Sequence, residues 1–137
     1  YNSEERRSRA IAKKLAQSLP INNVQDLVRA IKNSTPPHKR NRTIARVFQA
    51  FRIALNNELG RLSEFLSSYI HHLEKGGKIV IISFHSLEDR LVKKNFKDLS
   101  KNGLLKILTR KPIMASDEEV NANRRSKSAK MRCAVKT

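Results

Sequence analysis

The chain has 137 residues, 39% of them hydrophobic, and carries 29 Lys and Arg against 12 Asp and Glu, for a formal net charge of +17. The length suits one domain and the apolar content can build a core, while the charge excess points to a polyanionic partner, most simply nucleic acid. The basic segments lack Trp and a bulky apolar face, and no apolar run approaches a transmembrane span, which argues against a membrane role.

The charge is uneven. Residues 1–46 carry +8, residues 47–100 carry +2 and residues 101–137 carry +7, so two basic ends frame a nearly balanced middle. The single cysteine, Cys133, has no internal disulfide partner and suits a reducing, cytoplasmic compartment. The chain opens at Tyr1 without a signal-peptide pattern and runs directly into a helix start, which reads as a cut in a longer protein.

In chain order, Asn2 with Glu5 three residues later predicts a helix start, and Ile11, Leu15 and Leu19 recur at helical spacing until Pro20. The other side of that helix carries Arg6, Arg7, Arg9, Lys13 and Lys14, which reads either as a solvated face or as an RNA contact. A second helix begins at Asn22 or Asn23, turns Val24, Leu27, Val28 and Ile31 inward, and stops at Pro36-Pro37. His38-Lys-Arg-Asn-Arg42 is then a basic linker. From about Thr43 a longer helix presents Ile44, Val47, Phe48, Phe51, Ala54, Leu55 and Leu59, a stripe better suited to a core than to base stacking. Gly60 breaks it. Leu62, Phe65, Leu66, Tyr69, Ile70 and Leu73 describe the next helix, which delivers the chain to Gly76.

The stretch from Gly76 to Asp89 organises the rest. Ile79, Val80, Ile81 and Ile82 are four consecutive β-branched residues, which predict a strand buried on both faces as in a parallel sheet. Ser86-Leu-Glu-Asp89 has capping-box spacing, so a helix follows with Ser86 as its cap and Asp89 as the reciprocal partner. In an open α/β sheet ligands bind beyond the carboxyl ends of the strands, which puts Ser83, His85 and Ser86 beside a candidate active site. The helix buries Leu87, Leu91, Val92, Phe96 and Leu99 and ends near Gly103; Leu104 to Thr109 is a strand broken by Arg110-Lys111-Pro112. Ser116 with Glu119 caps a short helix. A basic loop, Arg124-Arg-Ser-Lys127, feeds a last strand from Ala129 to Lys136, in which Ala129, Met131, Cys133 and Val135 alternate as the inward set with Lys130, Arg132 and Lys136.

This inventory holds only two further strand candidates, both downstream, so the parallel neighbours of the central strand are expected upstream of Tyr1. None of the four glycines sits in a phosphate-loop or nucleotide-loop spacing. His71 and His72 are adjacent and point apart, and no His, Cys or carboxylate cluster has metal-site spacing, so no metal is expected.

Four segments, Phe48-Gln-Ala-Phe-Arg-Ile-Ala-Leu-Asn-Asn-Glu-Leu-Gly60, Gly76 to Arg90, Thr109-Arg-Lys-Pro112 and Arg125-Ser-Lys-Ser-Ala-Lys-Met-Arg132, resemble successive signatures of the MraW (RsmH) methyltransferases, in that family's order. The resemblance implies methyl transfer from S-adenosylmethionine to the exocyclic amine of a cytidine in small-subunit ribosomal RNA, on a Rossmann-like sheet interrupted by a helical insertion. It makes residues 1–42 the end of that insertion and 43–137 the C-terminal half of the catalytic domain, an α/β fold. The cofactor site then lies upstream, and the chain alone is expected to be inactive. Asn57 stands where the family commonly has Asp, and Arg124 where it commonly has Pro. The residues expected near the substrate are His85, Ser86 and Ser83, with Asn56 and Glu58 behind them. Ser86 also reads simply as a helix cap, and His85 equally as a structural residue. The expected RNA contacts are Lys39, Arg40, Arg42, Arg110, Lys111, Arg124, Arg125 and Lys127. A non-enzymatic basic RNA-binding or ribosome-associated protein is the alternative, and a nucleotide-binding α/β protein of another chemistry would require a phosphate loop upstream.

Overall fold

A computed structural model describes residues 5–137, which form two compact units divided between Glu58 and Leu59.

The first unit is helical. Helix α1 spans Ser8–Gln17, α2 spans Val24–Asn33, and a 3-10 turn at Pro37–Lys39 leads straight into α3, Arg40–Leu55. The i, i+4 pairs Ile11/Leu15 and Leu27/Ile31 meet Ile44, Val47 and Phe48 of α3, with Ile11, Ile31 and Val47 buried. Each such side chain contributes roughly 1.5–3 kcal/mol by leaving water. The Asn23 side chain caps α2 by accepting from the Asp26 N–H at 2.9 Å, as its sequence predicts. Val24 and Leu19, assigned inward, are instead 58% and 68% exposed. Val24 is the first residue of α2, before the helix reaches its packing partners, and Leu19 lies beyond the end of α1.

Two boundaries shift from expectation. The segment 38–42 is not a linker: the Lys39 N–H donates to the Pro36 carbonyl at 3.0 Å, and the tightened turn nucleates α3 three residues before Thr43. The break after α3 falls at Asn56-Asn57 rather than Gly60. Asn57 adopts φ +48°, the left-handed conformation that ends helices and that Asn tolerates, and Gly60 sits within the first turn of α4, Glu58–His72. Asn2 lies outside the described residues. Its expected partner Glu5 ties α1 to α3, accepting from the Arg7 N–H at 3.2 Å, the Thr43 hydroxyl at 3.2 Å and Arg46 Nη1 at 3.3 Å.

The second unit is a four-stranded sheet backed by α4 and α5. Strand β1 is Lys78–Ser83, α5 is Ser86–Lys101, β2 is Leu105–Ile107, β3 is Ile113–Met114, α6 is Asp117–Ala122, and a 3-10 turn at Arg124–Ser128 leads into β4, Lys130–Lys136. Ser116 caps α6 as expected, accepting from the Glu119 N–H. β4 pairs antiparallel with β1 along one edge, Lys78 opposite Val135 through Ser83 opposite Lys130. It pairs antiparallel with β2 and β3 as well. β1 and β2 therefore run parallel to each other with β4 between them. Leu66, Tyr69 and Ile70 of α4, Val92 and Phe96 of α5, Leu105 and Ala134 form the buried core.

Cross-strand register explains two departures from the sequence pattern. Opposed residues share a face, so Ile79/Ala134, Ile81/Arg132 and Ser83/Lys130 look toward the helices, while Val80/Cys133 and Ile82/Met131 look away. β1 is therefore not covered on both faces: Val80 and Ile82 are each 55% exposed, because both helices of its core lie on one side. Its neighbour is antiparallel, not parallel. β4 is inverted as well, with Arg132 at 6% and Ala134 at 0% exposure on the inner face in place of Met131, Cys133 and Val135. Lys136 donates to the Ile70 and Leu73 carbonyls at 2.9 and 2.7 Å, which satisfies the C-terminal end of α4. Gly76 makes the entry turn at φ +79°, its N–H donating to the Lys136 carbonyl, and a Cβ on Gly77 would sit 2.8 Å from the Glu74 carbonyl oxygen.

Burial raises the Glu5 pKa, and the Arg7 N–H, Arg46 and Thr43 together outweigh it, so the carboxyl is held below its ordinary value of 4.5. A depressed carboxylate stabilises the fold above the unfolded pKa and loses that contribution as pH falls through the folded one. Glu5→Gln is expected to cost about 1.5–3 kcal/mol at pH 7, and the gap to wild type should close below pH 4.5. Urea melts of both proteins across pH check this; a gap undiminished at pH 3 removes the electrostatic account.

Candidate active site

β1 ends where α5 begins, and the joint is closed by a reciprocal pair of side chains. His85 is the N-cap of α5: its Nδ1 accepts from the Glu88 N–H at 3.2 Å. Glu88 reaches back to accept from the Phe84 N–H at 2.9 Å and the His85 N–H at 3.2 Å. This is a capping box with histidine in the place usually held by Ser or Thr. Because Nδ1 accepts, the neutral ring carries its proton on Nε2, which lies 3.4 Å from Glu88 Oε1. The ring is buried.

The expected cap at Ser86 with Asp89 is thus displaced by one residue. Ser86 occupies the first helical position, half-buried, and its hydroxyl is not used in the cap. Asp89 is engaged elsewhere: its carboxylate accepts from Arg132 Nε at 2.7 Å and Arg132 Nη2 at 3.2 Å, a bidentate pair joining the first turns of α5 to the middle of β4. Ser83, at 3% exposure, closes β1 on the helix side. The structure therefore brings Ser83, His85 and Ser86 together at one joint. Of the two residues expected behind them, Asn56 is the C-cap of α3 and Glu58 is the first residue of α4. Glu58 accepts from Arg52 Nε at 2.8 Å and Nη2 at 3.2 Å within the first unit.

α4 holds Tyr69 beneath this joint's helix. Burial pushes its phenol up to about 12, and the hydroxyl donates to Asn95 Oδ1 at 3.0 Å while Asn95 Nδ2 donates to the Leu66 carbonyl. Tyr69 is a structural donor at neutral pH, not a base.

The expected RNA-contact residues are solvent-accessible. Lys39 and Arg42 are exposed and Arg40 half-buried in the first unit; Arg110, Lys111, Arg124, Arg125 and Lys127 are exposed in the second. Arg132 and Lys136 turn inward to Asp89 and to the Ile70 and Leu73 carbonyls, so these two cations of β4 do not add to the positive surface of residues 124–127. The sequence reading missed a cavity of about 710 Å³ whose lining includes Lys93, Lys97, Lys106 and Arg110 together with Phe96 and Leu105. The i, i+4 spacing of Lys93 and Lys97 on the outer face of α5 was its signal.

The described residues thus comprise a basic helical unit and an α/β unit whose strand-to-helix joint is fastened by a reciprocal cap. The chain belongs to the MraW methylase family, which it matches over residues 1–137. The protein named ribosomal RNA small subunit methyltransferase H of Crocosphaera subtropica is 52% identical over 96% of this chain and 42% of its own length. Proteins of the same name from Thermotoga neapolitana and Trichodesmium erythraeum are each 48% identical, over 98% and 97% of this chain and 45% and 47% of their own lengths. The chain thus spans less than half the length of these curated relatives. Among the described residues no helix is long and apolar enough to cross a membrane.

Exchange of the cap predicts an unequal pair of mutants. His85→Ala should cost about 1–2 kcal/mol, whereas Ser86→Ala should stay within about 0.5 kcal/mol. Chemical denaturation measures both, and a larger cost for Ser86 would return the cap to that residue. For the basic turn, replacing Arg124, Arg125 and Lys127 with Ala should lower the slope of log affinity against log salt by roughly two to three units for any RNA. Parallel wild-type and mutant lines would mean that these charges are merely solvated.

Proposed function

We propose that this chain works within an S-adenosylmethionine-dependent methyltransferase that modifies the exocyclic amine of a cytidine in small-subunit ribosomal RNA. The observation carrying this reading is the 52% identity, over 96% of the chain, to a protein bearing the name ribosomal RNA small subunit methyltransferase H. The net charge of +17 and the joint at His85 support it.

The four glycines of this chain do not make a cofactor loop. Gly76 and Gly77 close a turn onto β4, Gly103 follows α5, and Gly60 lies in α4, so none forms a Gly-rich loop at a helix start. The cofactor site is proposed in the part of the family's length that this chain does not span. That part would also cover the outward face of Val80, Ile82, Met131 and Ile113, completing a Rossmann-like sheet, and the chain alone would be inactive. Residues 1–42 are proposed as the end of a helical insertion and 43–137 as catalytic-domain sequence.

Alkylation of an aromatic amine asks the protein chiefly to hold the base, extruded from its stack, in line with the methyl group and to accept a hydrogen bond from the amine. His85 fixes the joint through its cap. The Ser86 hydroxyl, not used in that cap, is the group proposed to meet a base, and Ser83, buried on the helix side of β1, is proposed to support it from behind. Asn56 and Glu58 are proposed as further residues of the substrate-facing set.

A chimera tests the reading: this chain replaces the matching residues of the Crocosphaera subtropica relative, and the product is assayed with methyl-labelled S-adenosylmethionine on small ribosomal subunits, followed by nucleoside mass spectrometry. Label in N4-methylcytidine is expected, with Ser86→Ala lowering turnover about 10-fold or more. A folded chimera that binds subunits but transfers no methyl, or places it on another atom, overturns the reading and favours the non-enzymatic RNA-binding alternative.

A further inference from the structure

The first unit contains a cationic cavity of about 640 Å³ whose wall includes Arg7, Lys14, Lys32, Ser34, Thr35 and Arg40 and, among the described residues, no carboxylate. Two of its cations have an ordinary explanation. Lys14 and Lys32 stand in the last turns of α1 and α2, where a positive charge offsets the helix dipole. Arg7 and Arg40 do not. Arg7 is the N-cap of α1 and Arg40 the first residue of α3, and neither helix has an acidic residue in its first turn or a side-chain cap. A cation at a helix N-terminus adds to the positive end of the dipole, so helix stability disfavours both, and the Glu5 carboxylate, which accepts from the Arg7 N–H and the Thr43 hydroxyl, offsets only part of that charge. An anion held between them reverses the sign of that interaction and also takes up amide donors that the helices leave open.

Thr35 supplies an independent observation. It is 6% exposed, and its hydroxyl has no hydrogen-bond partner among the described residues. A buried, unsatisfied hydroxyl destabilises a fold in which Val would fill the same space. Thr43, buried to a similar degree, shows the usual arrangement, donating to Glu5. The Thr35 carbonyl accepts from Arg40 Nε at 3.3 Å, which fixes the guanidinium at the cavity wall and leaves its Nη groups to donate elsewhere.

We propose that this cavity is a phosphate-binding site, and that the phosphate it takes is a backbone phosphate of RNA; the second part rests on the RNA reading above. The Thr35 hydroxyl donates to a phosphate oxygen directly or through one water, and Arg7 and Arg40 supply charged donors from two helix starts. A strand is favoured over an isolated anion because Arg7 also lines a neighbouring cavity with Arg6, Lys39, Arg42 and Arg46, whose cations outnumber the Glu5 carboxylate in its wall. Two cationic cavities sharing one arginine suit a chain of successive phosphates.

The test uses the 137-residue chain with the variants Thr35→Val and Arg40→Gln. Amide spectra are recorded during titration with inorganic phosphate, and a single-stranded RNA oligonucleotide is bound across a salt series. Phosphate should shift the Thr35 and Arg40 amides of the wild type saturably. Thr35→Val should melt no lower than wild type without phosphate, lose the phosphate response, and bind RNA about tenfold more weakly with an unchanged salt slope. Arg40→Gln should lower that slope by roughly 0.7–0.9. Absence of saturable shifts at these amides, or a Thr35→Val response equal to wild type, overturns the site. If phosphate binds as expected but both variants bind RNA as wild type does, the phosphate site stands and its assignment to RNA is overturned. If the wild type binds no RNA at all, the general RNA reading falls, and the phosphate titration still decides the cavity.

Discussion

The second unit depends on what β4 does with Arg132. β1, β2 and β3 each pair with this one strand, and at its centre a guanidinium turns toward the helices to meet Asp89 in a bidentate pair. Burying two charges is unfavourable in itself, and a well-packed apolar pair would often serve stability as well. Once buried, however, removing either partner leaves an uncompensated charge and costs about 3–5 kcal/mol. The pair therefore acts as a register pin. It fixes α5 over the sheet, and with α5 the position of Glu88 one residue earlier and of the joint that Glu88 closes.

The same interaction accounts for the two places where local sequence pattern misleads. The segment from His85 to Asp89 contains two overlapping capping patterns, His85 with Glu88 and Ser86 with Asp89. Taken locally, Ser is the better cap, and the second pattern wins. Asp89 is engaged by a residue 43 positions later in the chain, which leaves Glu88 to close the box and His85 to complete it. β4 is misread for the same reason: an arginine in an alternating strand reads as outward, and only its distant carboxylate partner makes the inward position stable. By contrast, the caps at Asn23 and Ser116 and the helical core pairs of the first unit are legible, because each rests on residues three or four apart.

The run Ile79 to Ile82 was legible in composition and incomplete in context. Four β-branched residues ask for cover on two faces, and the helices of this chain supply it on one, to Ile79 and Ile81. Antiparallel pairing with β4 was equally hidden, since direction follows from which strands meet and not from the residues of either. The end of α3 was hidden for a different reason. Asn57 and Gly60 are both plausible stops, and the stop falls on the residue that adopts the left-handed conformation, leaving Gly60 to the next helix.

How the charge is distributed bears on what the basic surfaces are able to do. Of the ten basic residues after position 100, Arg132 and Lys136 are engaged within the fold, so the positive surface of the second unit comes from residues such as Arg110, Arg124, Arg125 and Lys127. In the first unit the cations concentrate at the starts of α1 and α3, where helix stability alone would not put them. At physiological salt a charge acts over about 8 Å, so on the function proposed above each cluster would engage only the phosphates beside it and would convey nothing about base identity. On that proposal, discrimination of a base would arise where a polar group is fixed by packing and not by long-range charge. In the second unit the joint of β1 and α5 meets that condition: its backbone is held by the His85–Glu88 cap, its helix by Arg132, and the Ser86 hydroxyl is left out of the cap.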